Sequence, residues 1–305
     1  SLAIGDGVLV VGAPNHDDSG AAYTFTHIDN RWPQTPQILE APNAGPGDRF
    51  GDSVAIGGGE NFFLIVGAPG EDGSGDGIDP PDDNGSSNSG AVYSFGLRAA
   101  NPGLPVEWTQ ATRIKAPDSA AGDSYGTAVA IAKNVPTFVV GAPREDGDEG
   151  DGSGAAYVYT RLADGSMDIA RIKAARPLAG ANYGSAVALD GNGSILAVGA
   201  PNESSTAAGV DGSLDAPVSA EGWGAVDVVI RAEETSWSAG PLRKRYIKAF
   251  NPDEGDEFGR SLACSDSCDT LVVGAPNEDG NGTELSPDND PGDNSFFNAG
   301  AAYLY

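Results

Sequence analysis

The chain has 305 residues and a mass of 30.8 kDa, long enough for two domains, although barrels and repeat folds of this size also fold as one unit. Seventeen Lys+Arg stand against 44 Asp+Glu, a formal charge of −27 that repels phosphate backbones and anionic lipid heads and draws cations, so nucleic acid is excluded as a partner. Hydrophobic residues make up 39%, enough to build a core, which excludes disorder as a description of the whole chain. Apolar runs such as Phe62-Phe63-Leu64-Ile65-Val66 fall far below the roughly 20 residues of a membrane helix, so no membrane insertion is expected. Met167 is the only methionine, and with Ser1 at its start the chain is read as a processed product or a fragment.

The first element, Ser1-Leu2-Ala3, aligns with later segments that follow an aromatic-glycine pair: Phe50-Gly51, Tyr125-Gly126, Tyr183-Gly184 and Phe258-Gly259. A second element ends in Val-Gly-Ala-Pro and recurs at Val11, Val66, Val140, Val198 and Val273, with spacings of 55, 74, 58 and 75 residues. A third begins at Gly20-Ala21, Gly90-Ala91, Gly154-Ala155, Gly224-Ala225 and Gly300-Ala301. A fourth, with more polar alternation, reads Gln37-Ile38-Leu39, Arg113-Ile114-Lys115, Arg171-Ile172-Lys173 and Tyr246-Ile247-Lys248. Short β-branched and aromatic runs between Gly, Asp and Pro turns, with no sustained helical period, predict an all-β array. The gradient from apolar inner strands to a polar outer strand predicts a β-propeller of four-stranded antiparallel blades.

Five repeats are visible as one domain over 1–305, bounded near 1–49, 50–124, 125–182, 183–257 and 258–305; the last lacks its outer strand. Proline after Val-Gly-Ala stops the second strand because it cannot donate to a ladder. The repeated Phe or Tyr is expected as a wedge between neighbouring sheets.

These residues resemble the FG-GAP repeat family, the repeat of the integrin α-subunit propeller and of many bacterial secreted proteins; Phe50-Gly51 through Val66-Gly67-Ala68-Pro69 carries both halves of the pattern in order. The resemblance implies an extracellular propeller, commonly seven-bladed, used for adhesion or ligand binding and often loaded with calcium. The chain is then a five-unit ring or part of a larger one. Integrin-type repeats place an Asp-rich calcium loop between the first two strands. Here that segment is short, and only Asp190-Gly191-Asn192-Gly193-Ser194 keeps a trace of it.

Acidic residues instead collect between the second and third strands. Asp72, Ser74, Asp76 and Asp79 set oxygens at alternate positions with Gly77 at the sixth, the logic of a loop that wraps a hard cation. Asp146, Asp148 and Asp151, and Asp279, Asn281 and Glu284, follow the same idea, making calcium the expected cofactor. Asp48, Asp123 and Asp256 recur before the aromatic-glycine pairs and are expected to cap that turn or to join the acidic face. Cys264 and Cys268 flank a hairpin turn and are expected to form a disulfide, which implies an oxidising compartment. Gly122-Asp123-Ser124-Tyr125-Gly126 spells a nucleophile elbow, but Ser124 is a variable position of the repeat and no strand-turn-helix context surrounds it.

The expected function is that of an extracellular, non-catalytic binding or adhesion module, meeting a protein or glycan ligand on its loop face. Two other readings stay open. One is a structural subunit that self-associates by strand exchange through the open edge of the last blade. The other is a polysaccharide-active enzyme, since carboxylates are many and no pair is singled out.

Overall fold

The computed structural model describes residues 1–32, 35–59, 62–81, 83–97, 106–109, 111–146, 152–219, 222–232, 235–279 and 298–305. They form five antiparallel sheets and no α-helix; His16–Asp18 make one 3₁₀ turn. The first sheet holds β1 (Leu2–Gly5), β2 (Val8–Ala13), β3 (Ala21–Thr26) and β4 (Gln37–Leu39). The second holds β5 (Ser53–Gly57), β6 (Phe63–Ala68), β7 (Ala91–Gly96) and β8 (Thr112–Ile114). The third runs through β9 (Ala128–Ile131), β10 (Thr137–Ala142), β11 (Ala155–Arg161) and β12 (Met167–Ile172). The fourth has β13 (Ala186–Leu189), β14 (Ile195–Ala200), β15 (Ala225–Arg231) and β16 (Leu242–Ile247). The fifth has three strands, β17 (Ser261–Cys264), β18 (Leu271–Ala275) and β19 (Ala301–Leu304).

Every sheet is a meander in chain order, each strand pairing with its neighbours in sequence. At the first hairpin Asp6 and Gly7 both take positive φ, 44° and 77°, the geometry of a tight turn whose twist matches its strands. The blades radiate from a common axis, with inner strands packed in succession, β1 on β5, β5 on β9, β9 on β13 and β13 on β17. The expected propeller of five repeats, four of them four-stranded, is the observed one.

The aromatic wedges lie where the repeat places them. Phe50, Tyr125, Tyr183 and Phe258 are buried between sheets. Phe50 meets Tyr93 edge-on at 5.3 Å, Tyr125 meets Tyr157 at 5.6 Å and Phe258 meets Tyr303 at 5.2 Å, a geometry that adds to area burial. Beside each wedge a glycine makes a parallel bridge to the aromatic residue of the next blade: Gly20 to Phe50, Gly90 to Tyr125, Gly154 to Tyr183 and Gly224 to Phe258. A Cβ on Gly90 would stand 2.1 Å from the Tyr125 carbonyl oxygen, and Gly90 has φ +82°. Only glycine permits both.

No comparable packing joins β17 back to β1. Leu2 and Ile4 on one flank, and Val272 and Leu304 on the other, are exposed, whereas Val54, Ile65 and Val158 at matching positions are buried.

Candidate ligand-binding face

Strands two and three of each blade are joined on one face of the propeller, the face that also carries the connections from each outer strand to the next inner strand. Beneath these loops lies a repeated buried network. The second residue after Val-Gly-Ala-Pro is Glu71, Glu145, Glu203 and Glu278 in blades two to five, and all four are buried. Lys115 donates to Glu71 and to Ser89 Oγ at 2.7 Å, while Arg113 reaches the other Glu71 oxygen at 2.8 Å. In blade three Lys173 donates to Glu145 at 2.6 Å and to Ser153 Oγ at 2.8 Å. In blade four Lys248 donates to Glu203 at 2.6 Å and to the Ser205 carbonyl at 2.7 Å. Burial draws Lys115 and Lys248 below the ordinary lysine range, opposed by their glutamate partners. Blade one carries His16 and Glu40 at the matching positions.

The aspartates before the aromatic-glycine pairs cap the turn, as expected. Gly45 N donates to Asp48 at 2.7 Å, Ala120 N to Asp123 at 2.7 Å and Asp253 N to Asp256 at 2.7 Å. Burial pushes the Asp123 carboxyl up to about 6 and Asp256 up to about 7; the backbone donors pull both down, while nearby Glu145 and Glu278 push upward.

The described members of the proposed calcium set are each engaged in their own loops or open to solvent. Asp72, Asp146 and Asp279 each close the neck of a loop, accepting from Asn88 N at 2.8 Å, Gly152 N at 2.9 Å and Asn298 N at 2.7 Å. Ser74 donates to Asp83 through its backbone N–H and its hydroxyl, and Asp76 is exposed at the loop tip. Asp79 lies beside β8, where its carboxylate accepts from Arg113 N at 3.0 Å. Asp148, Asp151, Asn281 and Glu284 lie outside the described residues. Among the described residues no three His, Cys, Asp or Glu side chains stand close enough together to hold a metal ion. Asp190, the trace of an integrin-type loop, accepts instead from Ser194 N at 2.5 Å and Ile195 N at 2.7 Å, a closed turn of N–H donors.

Asp79 shows a role that alternating oxygens did not suggest. In blade two the long loop folds back so that Ile78 bridges Ile114, Asp79 N donates to Arg113 O and Lys115 N to Gly77 O. In blade four Val210 bridges Ile247, Asp211 N donates to Tyr246 O and Lys248 N to Gly209 O. Both loops thereby cover the exposed side of an outer strand, one means of blunting a sheet edge. The signal in the sequence is the repeated Gly77-Ile78-Asp79 and Gly209-Val210-Asp211.

Cys264 and Cys268 form the expected disulfide across the hairpin of β17 and β18. Ser124 has φ 55° and its hydroxyl turns back to the Gly122 carbonyl at 3.3 Å; His16 and His27 both lie in blade one, against Tyr23 and Trp32.

No curated protein matches the chain. The sequence model of the FG-GAP repeat family matches residues 32–95 and 108–159, segments that carry Phe50-Gly51 with Val66–Pro69, and Tyr125-Gly126 with Val140–Pro143. The chain is a β-propeller whose residues 32–95 and 108–159 carry FG-GAP repeats.

Proposed function

We propose that the chain is an extracellular, non-catalytic binding or adhesion module whose acidic loop face meets a protein or glycan ligand. The observation that carries this reading is the division of labour at that face. The loop necks are locked by buried Glu–Lys networks and aspartate caps, while the loops beyond them differ in length and sequence from blade to blade. Such a scaffold supports variable loops on a rigid frame, the arrangement in which binding residues concentrate. The Cys264–Cys268 disulfide supports an oxidising compartment. The FG-GAP repeats support a binding role by family likeness.

Calcium belongs to this reading as a hard cation held by oxygens at the loop tips rather than by a cage of the described carboxylates. A cation that binds only the folded chain must raise its melting temperature. The test is retention of the purified chain on protein and glycan arrays, with calcium chloride and with chelator, beside melting in the same two buffers. Saturable retention without turnover, and melting that falls in chelator, are expected. Turnover of an arrayed glycan would replace the binding reading with an enzymatic one, and identical melting would remove calcium from it.

A further inference from the structure

Blade five closes its inner hairpin with a covalent bond. Cys264 and Cys268, the only cysteines of the chain, pair across the turn between β17 and β18 at a separation of 4 residues. Blade four closes the matching turn without one, through the Asp190 carboxylate and its backbone donors. Inside the bridged turn Cys268 takes φ 48°, a left-handed conformation that a residue with a Cβ disfavours. The turns of blades one, two and four put Asp6 and Gly7, Gly58 and Gly59, and Gly193 in that region, so only blade five uses a cysteine there.

The tip of this turn is what touches other blades. The Asp266 carbonyl accepts from Gly191 N of blade four at 2.7 Å, and Gly191 O in turn accepts from Asn134 N of blade three at 2.8 Å. The Asp266 carboxylate meets Lys133 of blade three at 2.6 Å, across 133 residues of sequence. That ion pair is exposed on both sides and contributes little alone. The backbone bond from Gly191 depends on where the turn holds its carbonyl. Below the tip, Ser265 N donates to Thr270 O at 3.0 Å, so the base of the hairpin is paired without help from the sulfurs. Both cysteines are partly open to solvent.

We propose that the Cys264–Cys268 disulfide is a redox-operated latch that seats the inner hairpin of blade five on the turns of blades three and four. The reductant is a dithiol. One of its sulfurs attacks a cysteine Sγ and displaces the other cysteine as thiolate; its second sulfur then displaces the first cysteine. The protein disulfide gains two electrons and two protons, and the dithiol becomes a disulfide. Once released, Cys268 leaves its left-handed conformation, the tip loses its fixed position and the Gly191–Asp266 bond opens, while the sheets stay paired. The latch lies on the propeller face opposite the long loops and stands or falls independently of the loop-face reading.

The test uses the full 305-residue chain, oxidised and after incubation with dithiothreitol, with thiols counted by alkylation and mass and with amide exchange read residue by residue. Exchange at the Gly191 amide is expected to speed about tenfold or more on reduction and to recover on reoxidation. The Gly58 amide, which donates to Ala132 O between blades two and three, is expected to keep its rate. A Cys264→Ser/Cys268→Ser variant should show the reduced pattern with no reductant present. Reduction of the native chain needs no substitution, so a folding defect in that variant does not obscure the answer. A Gly191 rate indifferent to reduction, equal acceleration at Gly58, or a bond that dithiothreitol leaves intact would each overturn the proposal.

Discussion

Lys115 donates to Glu71 at a point where neither side chain meets solvent, the lysine 0% and the glutamate 2% exposed. Forty-four residues separate the two in sequence, so the contact ties the outer strand of blade two to the neck of its long loop. Taking two charges out of water is unfavourable unless the remaining donors and acceptors are satisfied. Here Arg113, Asn43 and Ser89 satisfy them.

Removing one partner is therefore expected to be severe. Lys115→Met should lower unfolding free energy by about 2–3 kcal/mol, because it removes one of the two cations that pair with the buried Glu71 and leaves Arg113 alone. The double variant Glu71→Leu/Lys115→Met should recover part of that loss. Urea unfolding followed by tryptophan fluorescence measures both, and a single-variant loss below about 1 kcal/mol, typical of an exposed pair, would speak against the network.

Two glycines separate steric from conformational demands. Gly122 has φ +94° with nothing within 4 Å of a would-be Cβ, whereas at Gly90 that atom would strike the Tyr125 carbonyl. Gly122→Ala should destabilise by only about 1–2 kcal/mol, and Gly90→Ala by about 4 kcal/mol or more, since the blades would have to part. Equal losses at the two positions would contradict the close approach of neighbouring blades.

Stability should fall as pH rises through the neutral range. Asp123 titrates near 6 and Asp256 near 7 in the folded chain, against the ordinary 3.8 when unfolded. Between those values the folded state binds more protons, so the stability these groups contribute is full below about pH 4 and is lost by about pH 7. Mutual repulsion in a chain of charge −27 acts in the same direction. Melting at pH 5 should exceed melting at pH 7.5, and Asp256→Asn should flatten the upper part of that slope. A melting temperature that climbs steadily from pH 5 to 7.5 would refute the assignment.

The repeat made the fold legible. Val-Gly-Ala-Pro marks where each second strand must stop, and the aromatic-glycine pairs mark where each blade wedges against the next, both consequences of local chemistry. The roles of the acids were less legible. Asp72, Asp146 and Asp279 close loop necks through backbone N–H groups, and an aspartate that caps a turn has the same local surroundings in sequence as one that binds a cation. The glutamate-lysine pairs escaped notice because their partners lie 28 to 45 residues apart. Recurrence was the available signal, with Glu71, Glu145, Glu203 and Glu278 at one position and Lys115, Lys173 and Lys248 at another.

The central claim is that binding resides in the loop tips while the blades supply a fixed frame. Its most direct measurement compares array retention of the native chain with that of a variant carrying Asp76→Asn and Asp215→Asn, two exposed acids of separate loops, at low and at physiological salt. Retention is expected to weaken in the variant and in salt, with melting temperature unchanged. Undiminished retention by the variant, or weakened retention accompanied by a lower melting temperature, would contradict it.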